Sequence, residues 1–218
     1  MLETNVFEPA GAGDGTPVIV LLHGRGTDAD DLVPLRPGLP ADAALVLPRA
    51  PHPGAPWGYG PGWAWYRYEG GDRPEPESFR ASQAALDALM AGLPGLLGRE
   101  PGPVALGGFS QGGTMSLGWA LRNPGAATAV VVFSGFLPDH PDVVPSAETL
   151  RRTRFWWGHG TLDPAVPHEL AIGGRRALAV AGASLEVRDY PIGHGIVPEE
   201  LADATAWLKP RLEPVRGR

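Results

Sequence analysis

The sequence predicts an α/β domain: a mostly parallel central sheet with helices on both faces. Two observations carry that reading. Six short apolar runs of β type recur along the chain, with helical patterns between them. The runs are mostly continuous rather than alternating, as strands read when both faces of a parallel sheet are covered. At 218 residues the chain is long enough for one such domain with a large core, and neither an internal repeat nor a linker divides residues 1–218.

The elements follow in order. The opening "ETNVFEPA" is expected to add an antiparallel edge strand. The six apolar runs are Val18 to Leu22, Ala44 to Leu47, Val104 to Leu106, Ala129 to Phe133, Arg154 to Trp157 and Leu185 to Tyr190. The last alternates more than the others and is placed nearer a sheet edge. Helices are expected over about 78–98, 111–122, 167–182 and 198–212, the second stopped by Asn123-Pro124. Between them lies a long irregular stretch, about 50–77, holding Trp57, Tyr59, Trp63, Trp65, Tyr66 and Tyr68. It is too aromatic for disorder. Either its own rings pack it onto the domain, or Trp63, Trp65 and Tyr66 wall an apolar substrate pocket.

Composition excludes several classes. Hydrophobic residues at 43% and charged residues at 19% fit a folded globular chain. A net charge of −6 without a basic block argues against nucleic acid or an anionic membrane as partner. No cysteine is present, which removes disulfides, a thiol nucleophile and thiolate metal sites. The first fifteen residues lack a basic start and an apolar core, so no leader and a cytoplasmic location are expected. No stretch approaches the ~18 apolar residues of a membrane span.

Chemistry concentrates at "GGFSQGG", residues 107 to 113. An apolar strand runs in and a helix runs out, so Ser110 sits in a sharp strand-to-helix turn. Gly108 and Gly112 lack a Cβ and permit the close chain approach such a turn needs. Gly108-x-Ser110-x-Gly112 is the pattern of a nucleophile elbow, which exposes a serine hydroxyl at the end of a sheet.

A serine hydroxyl needs a base, and the base needs a carboxylate to orient it. After Ser110 the histidines are His140, His159, His168 and His194. The acids considered are Asp139, Asp142, Asp163, Asp189 and Glu169. In the order Ser, acid, His, each on a loop after a strand, His194 in "YPIGHG" and Asp163 in "GHGTLDPAVP" fit best, with Asp139 as the substitute acid. His159 and Asp163 are four apart but lack a third residue at metal-ligand spacing, so no metal is expected. Acyl transfer also needs donors for the oxyanion. The N–H of Gln111, opening a helix, is one; the N–H of Arg25 in "LLHGRGTDADDL" is the other, with His23 structural.

The blocks "LLHGRGTDADDL", "GGFSQGGTMSL", "VVFSGFLP", "GHGTLDPAVP" and "YPIGHGI" run in one order over about residues 16–212. Together they resemble the bacterial carboxylesterase/phospholipase family, the acyl-protein-thioesterase-like branch of the α/β-hydrolases. The resemblance implies Ser110, Asp163 and His194 as triad, the Arg25 and Gln111 amides as oxyanion hole, and supporting roles for Ser134 and His159. It implies hydrolysis of a small-molecule or lipid ester without a cofactor. The family often carries a neutral residue where this chain has Arg25, and a guanidinium there would favour substrates with a negative group. The aromatic loop follows the family only loosely.

The expected activity is therefore that of a serine carboxylesterase on short- to medium-chain acyl esters. The alternatives are a thioesterase or lysophospholipase on longer chains, and a non-catalytic binding protein of the same fold. An apolar pocket mouth is also a candidate surface for a homodimer.

Overall fold

A computed structural model of the chain describes residues 2–213. Seven strands form one sheet: β1 (Thr4–Phe7), β2 (Val18–Leu22), β3 (Ala44–Pro48), β4 (Val104–Phe109), β5 (Ala129–Phe133), β6 (Arg154–Gly160) and β7 (Ser184–Tyr190). Their spatial order is β1-β3-β2-β4-β5-β6-β7. Every pairing is parallel except that of β1 with β3, so the opening segment does form the antiparallel edge. At the opposite edge lies β7, the alternating strand, with most of its residues at least partly exposed.

Five helices accompany the sheet: α1 (Pro76–Ala91), α2 (Leu93–Leu97), α3 (Gln111–Arg122), α4 (His168–Val180) and α5 (Pro198–Leu212). Alternate strand residues point to opposite faces. Val18, Val20, Leu22, Val130, Val132 and Trp157 bury against Phe79 and Leu86 of α1, Met115 and Leu117 of α3, and Leu178 of α4. Ile19, Leu21, Val131, Phe133 and Trp156 bury against Trp207 and Leu208 of α5. Each fully buried Val, Leu or Ile contributes roughly 1.5–3 kcal/mol by leaving water. Both faces are thus covered, as continuous apolar strands require.

Three boundaries differ from expectation. Strand β4 runs on through Gly107 and Gly108 to Phe109, because those glycines pair with β2 on one side and β5 on the other. Strand β6 likewise continues through Gly158 to Gly160. The helix expected over 78–98 is two helices, broken at Gly92. Pro94 supplies no N–H, and its ring excludes the carbonyl a continuous helix would place against it.

The chain leaves β2 for β3 on one side, and β4 for β5 on the other. The strand order therefore reverses between β2 and β4. In such sheets a crevice forms beyond the carboxyl ends of the two strands at the reversal. The segments that follow β2 and β4 are "HGRG" and "SQGG".

Candidate active site

Ser110 sits between β4 and α3 with φ 54° and ψ −116°, a conformation that costs a non-glycine residue about 1–3 kcal/mol. Its surroundings hold it there. The Ser110 N–H donates to the Phe133 carbonyl at 2.8 Å, and its own carbonyl accepts from Thr114 N–H at 3.1 Å. A Cβ on Gly108 or Gly112 would collide with the Leu22 carbonyl at the end of β2. The glycines thus let the first turn of α3 rest on β2 backbone, which aims the serine across the crevice.

The structure brings the three expected side chains into one hydrogen-bonded line. His194 Nε2 accepts from the Ser110 hydroxyl at 2.9 Å, and His194 Nδ1–H donates to Asp163 Oδ2 at 2.7 Å. Asp163 is buried, and its other oxygen accepts from the N–H groups of Ala165 and Val166, both at 2.9 Å. That turn is tied down by His159, whose Nε2–H donates to the Val166 carbonyl at 2.9 Å. Burial pulls the His159 pKa down, so the ring stays neutral. Phe109 covers the other side of His194, ring centres 4.7 Å apart. Asp139 lies elsewhere: its N–H bonds the Asp72 carbonyl and its carboxylate makes no bond to His194.

The "HGRG" segment is built to leave amides free. The buried His23 ring accepts from Ala50 N–H at Nε2 (3.0 Å) and donates from Nδ1 to the Gly24 carbonyl (2.7 Å). Burial lowers its pKa, consistent with a neutral structural ring. Gly26 takes φ +82° and donates to the Trp63 carbonyl at 2.7 Å. Gly24 packs so closely that a Cβ there would lie 3.8 Å from that of Ser110. Among the described residues, the amides of Arg25 and Gln111 donate to no backbone acceptor outside helices and strands.

A cavity of about 680 Å³ opens over this line. Gly24, Arg25, Ser110 and His194 form one part of its wall, and Tyr68, Phe109, Phe136, Val166 and Leu170 the apolar part. Trp63, Trp65 and Tyr66 do not line it, so the pocket expectation for these three is corrected. Trp65 and Tyr66 are fully buried beneath the site. Trp65 Nε1–H donates to the His23 carbonyl at 2.9 Å. The Trp65 N–H and the Tyr66 carbonyl bond the Gln111 side chain, each at 2.7 Å. Trp63 is partly buried and stacks under the Arg49 guanidinium at 3.9 Å. These rings pack the 50–77 segment onto the domain, and the ring it offers to the cavity is Tyr68. Sequence reading missed Phe136 and Val166, although both lie inside the quoted blocks. It also missed the Gln111 side chain.

Comparison with known proteins bears on the family and the fold. Residues 6–211 match the Phospholipase/Carboxylesterase family. The chain is 34% identical to a probable carboxylesterase SOBER1-like of Arabidopsis thaliana over 60% of its length, spanning about half (48%) of that protein. It is 30% identical to acyl-protein thioesterase 1 of Gibberella zeae, over 79% of each chain. Among solved structures, esterase PE8 superposes with TM-score 0.79 at 29% identity, covering 96% of this chain and 98% of that one. Zea mays acyl-protein thioesterase 2 superposes with TM-score 0.76 at 25% identity, covering 98% and 100%. The Arabidopsis and Gibberella relatives named above are plant and fungal, so they do not single out the bacterial branch. A mostly parallel sheet, an elbow serine after β4 and a match over nearly all the chain agree: this is an α/β-hydrolase fold, and the chain belongs to the phospholipase/carboxylesterase family.

Proposed function

We propose that this protein is a serine carboxylesterase acting on short- to medium-chain acyl esters through an acyl-Ser110 intermediate. The observation that carries the reading is the continuous line Ser110 Oγ, His194, Asp163 at 2.9 and 2.7 Å, opening on an apolar-walled cavity. His194 Nε2 takes the hydroxyl proton as Ser110 Oγ bonds to the ester carbonyl carbon. The carbonyl π pair moves onto oxygen, where the Arg25 and Gln111 amides stabilise it at the positive end of α3. Asp163 keeps the Nδ1–H tautomer and steadies the imidazolium. The tetrahedral adduct then collapses and expels the alcohol, which takes the proton from Nε2. Water, deprotonated by His194, attacks the acyl-serine and releases the acid.

The cavity lies within the range usual for small-ligand pockets and is open enough for more than one chain length. The test is hydrolysis of p-nitrophenyl esters from acetate to palmitate beside Ser110→Ala. Activity with an optimum at short or medium chains, lost in the variant, supports the reading. Equal rates in both proteins would end it. A thioesterase is the second reading, carried by the likeness to acyl-protein thioesterase 1 over 79% of each chain. Matched oxygen and thio esters on one acyl chain separate the two.

A further inference from the structure

The Arg25 guanidinium is gripped in an aromatic corner. Its Cζ lies 4.7 Å from the ring centre of Tyr59 and 5.3 Å from that of Tyr68. The two rings stand at 74° to each other, 6.4 Å apart. The corner is itself fixed: Tyr68 N–H donates to the Tyr59 hydroxyl at 2.8 Å. Tyr68 also rests against Tyr66 and Phe136, with ring centres 5.1 and 6.1 Å away. Stacking attracts the cation through the ring faces and leaves its N–H edge unused.

That edge has no partner among the described residues. Among the described residues the Arg25 side chain forms neither a hydrogen bond nor an ion pair, although six other arginines are ion-paired. Arg25 is exposed and lines the same cavity as Ser110 and His194. Two carboxylates, Asp31 and Glu169, also line it, and neither pairs with Arg25. They repel an anion, so the Arg25 corner is where an anion within the cavity is most stable. An orientationally fixed guanidinium with free donors suits a planar or tetrahedral oxyanion, bound by charge-assisted hydrogen bonds.

We propose that the Arg25 side chain selects esters carrying a carboxylate or phosphate group. It holds that group while the ester carbonyl lies at Ser110. The inference rests on the serine-esterase reading, and would give one residue two tasks: its amide serves the oxyanion and its side chain chooses the substrate.

The experiment compares kcat/KM within matched pairs. One pair is the p-nitrophenyl monoester of adipic acid against p-nitrophenyl hexanoate, with the charge on the acyl side. The other is butyryl glycerol phosphate against monobutyrin, with the charge on the alcohol side. The charged-to-neutral ratio is read in wild type, Arg25→Gln and Tyr59→Leu, at low and high salt. Using the ratio cancels any change Arg25→Gln makes through its amide. The proposal expects that ratio to fall about tenfold in Arg25→Gln for at least one pair. It expects a smaller fall in Tyr59→Leu, where the guanidinium loses one ring, and a fall in wild type at high salt. The responding pair tells which side of the ester carries the charge. Ratios unchanged by variant and by salt in both pairs would overturn the proposal while leaving the esterase reading intact. Wild type inert to every ester would remove both.

Discussion

The side-chain carbonyl of Gln111 accepts a hydrogen bond from the Trp65 main-chain N–H at 2.7 Å, and its amide nitrogen donates to the Tyr66 carbonyl at the same distance. The residue whose own N–H we propose as an oxyanion donor thus also clamps the aromatic segment beneath it. Ser82 adds a bond to the Trp65 carbonyl. Gln111→Ala leaves two buried backbone groups without partners, at about 1–3 kcal/mol each. The variant is expected to lose about 2–4 kcal/mol in urea unfolding and to lose kcat on any ester cleaved. A change below about 0.5 kcal/mol would mean the clamp is not stabilising.

Gly112→Ala tests the close approach of α3 to β2. Its Cβ would meet the carbonyls of Leu22 and His23, both backbone, which cannot rotate away. A loss of roughly 3 kcal/mol or more is expected, from overpacking and the shift it forces. Gly173→Ala is the contrast, since that exposed α4 position has nothing within 4 Å of an added Cβ. It should be neutral or stabilising by up to about 1 kcal/mol. Thermal unfolding of the two variants side by side decides it.

Much of this was legible in the sequence, for physical reasons that differ by residue. Helix α3 ends and helix α5 begins where expected, because Asn123-Pro124 stops the one and Pro198 opens the other. The triad could be read because each member sits on a turn after an apolar strand, a pattern that leaves a local mark. Gly107 and Gly108 misled, since glycine weakens a strand in isolation while neighbours on both sides can hold it in the sheet. Trp65 and Tyr66 misled for another reason. A ring in the core and a ring on a pocket wall look alike in sequence; only the Gln111 clamp distinguishes them, and it joins residues 46 and 45 positions apart.

Asp163→Asn should keep the fold and lose the chemistry. Asp163 Oδ1 accepts from two backbone N–H groups, so an asparagine would place its oxygen there and turn its NH2 toward His194. The imidazole would then carry its proton on Nε2, which could no longer accept from Ser110. A drop in kcat on the order of 10⁴ with unaltered unfolding is expected, by analogy with the same change in a serine protease. Activity within tenfold of wild type would count against the tautomer argument.

Glu200 on α5 is fully buried, and neither of its oxygens has a hydrogen-bond partner. Burial pushes its pKa up to about 8, opposed more weakly by the Val197 backbone and the Arg175 charge. The folded pKa therefore lies above the usual 4.5. Glu200 contributes its full stability below that value, and loses it as pH rises from about 4.5 to 8. Glu200→Gln should gain on wild type over that window by about 3–5 kcal/mol and then level off. Urea midpoints of both proteins from pH 4 to pH 9, approximately, check the sign; parallel curves would refute it.

We propose Ser110 as the nucleophile, activated by His194. Titration with p-nitrophenyl diethyl phosphate tests it most directly, because the reagent phosphorylates an activated serine and releases one nitrophenol as it does so. One equivalent of nitrophenol per chain is expected, with a diethylphosphoryl group on the peptide holding Ser110, and neither in Ser110→Ala or His194→Ala. Labelling elsewhere, or labelling that persists in either variant, would contradict it.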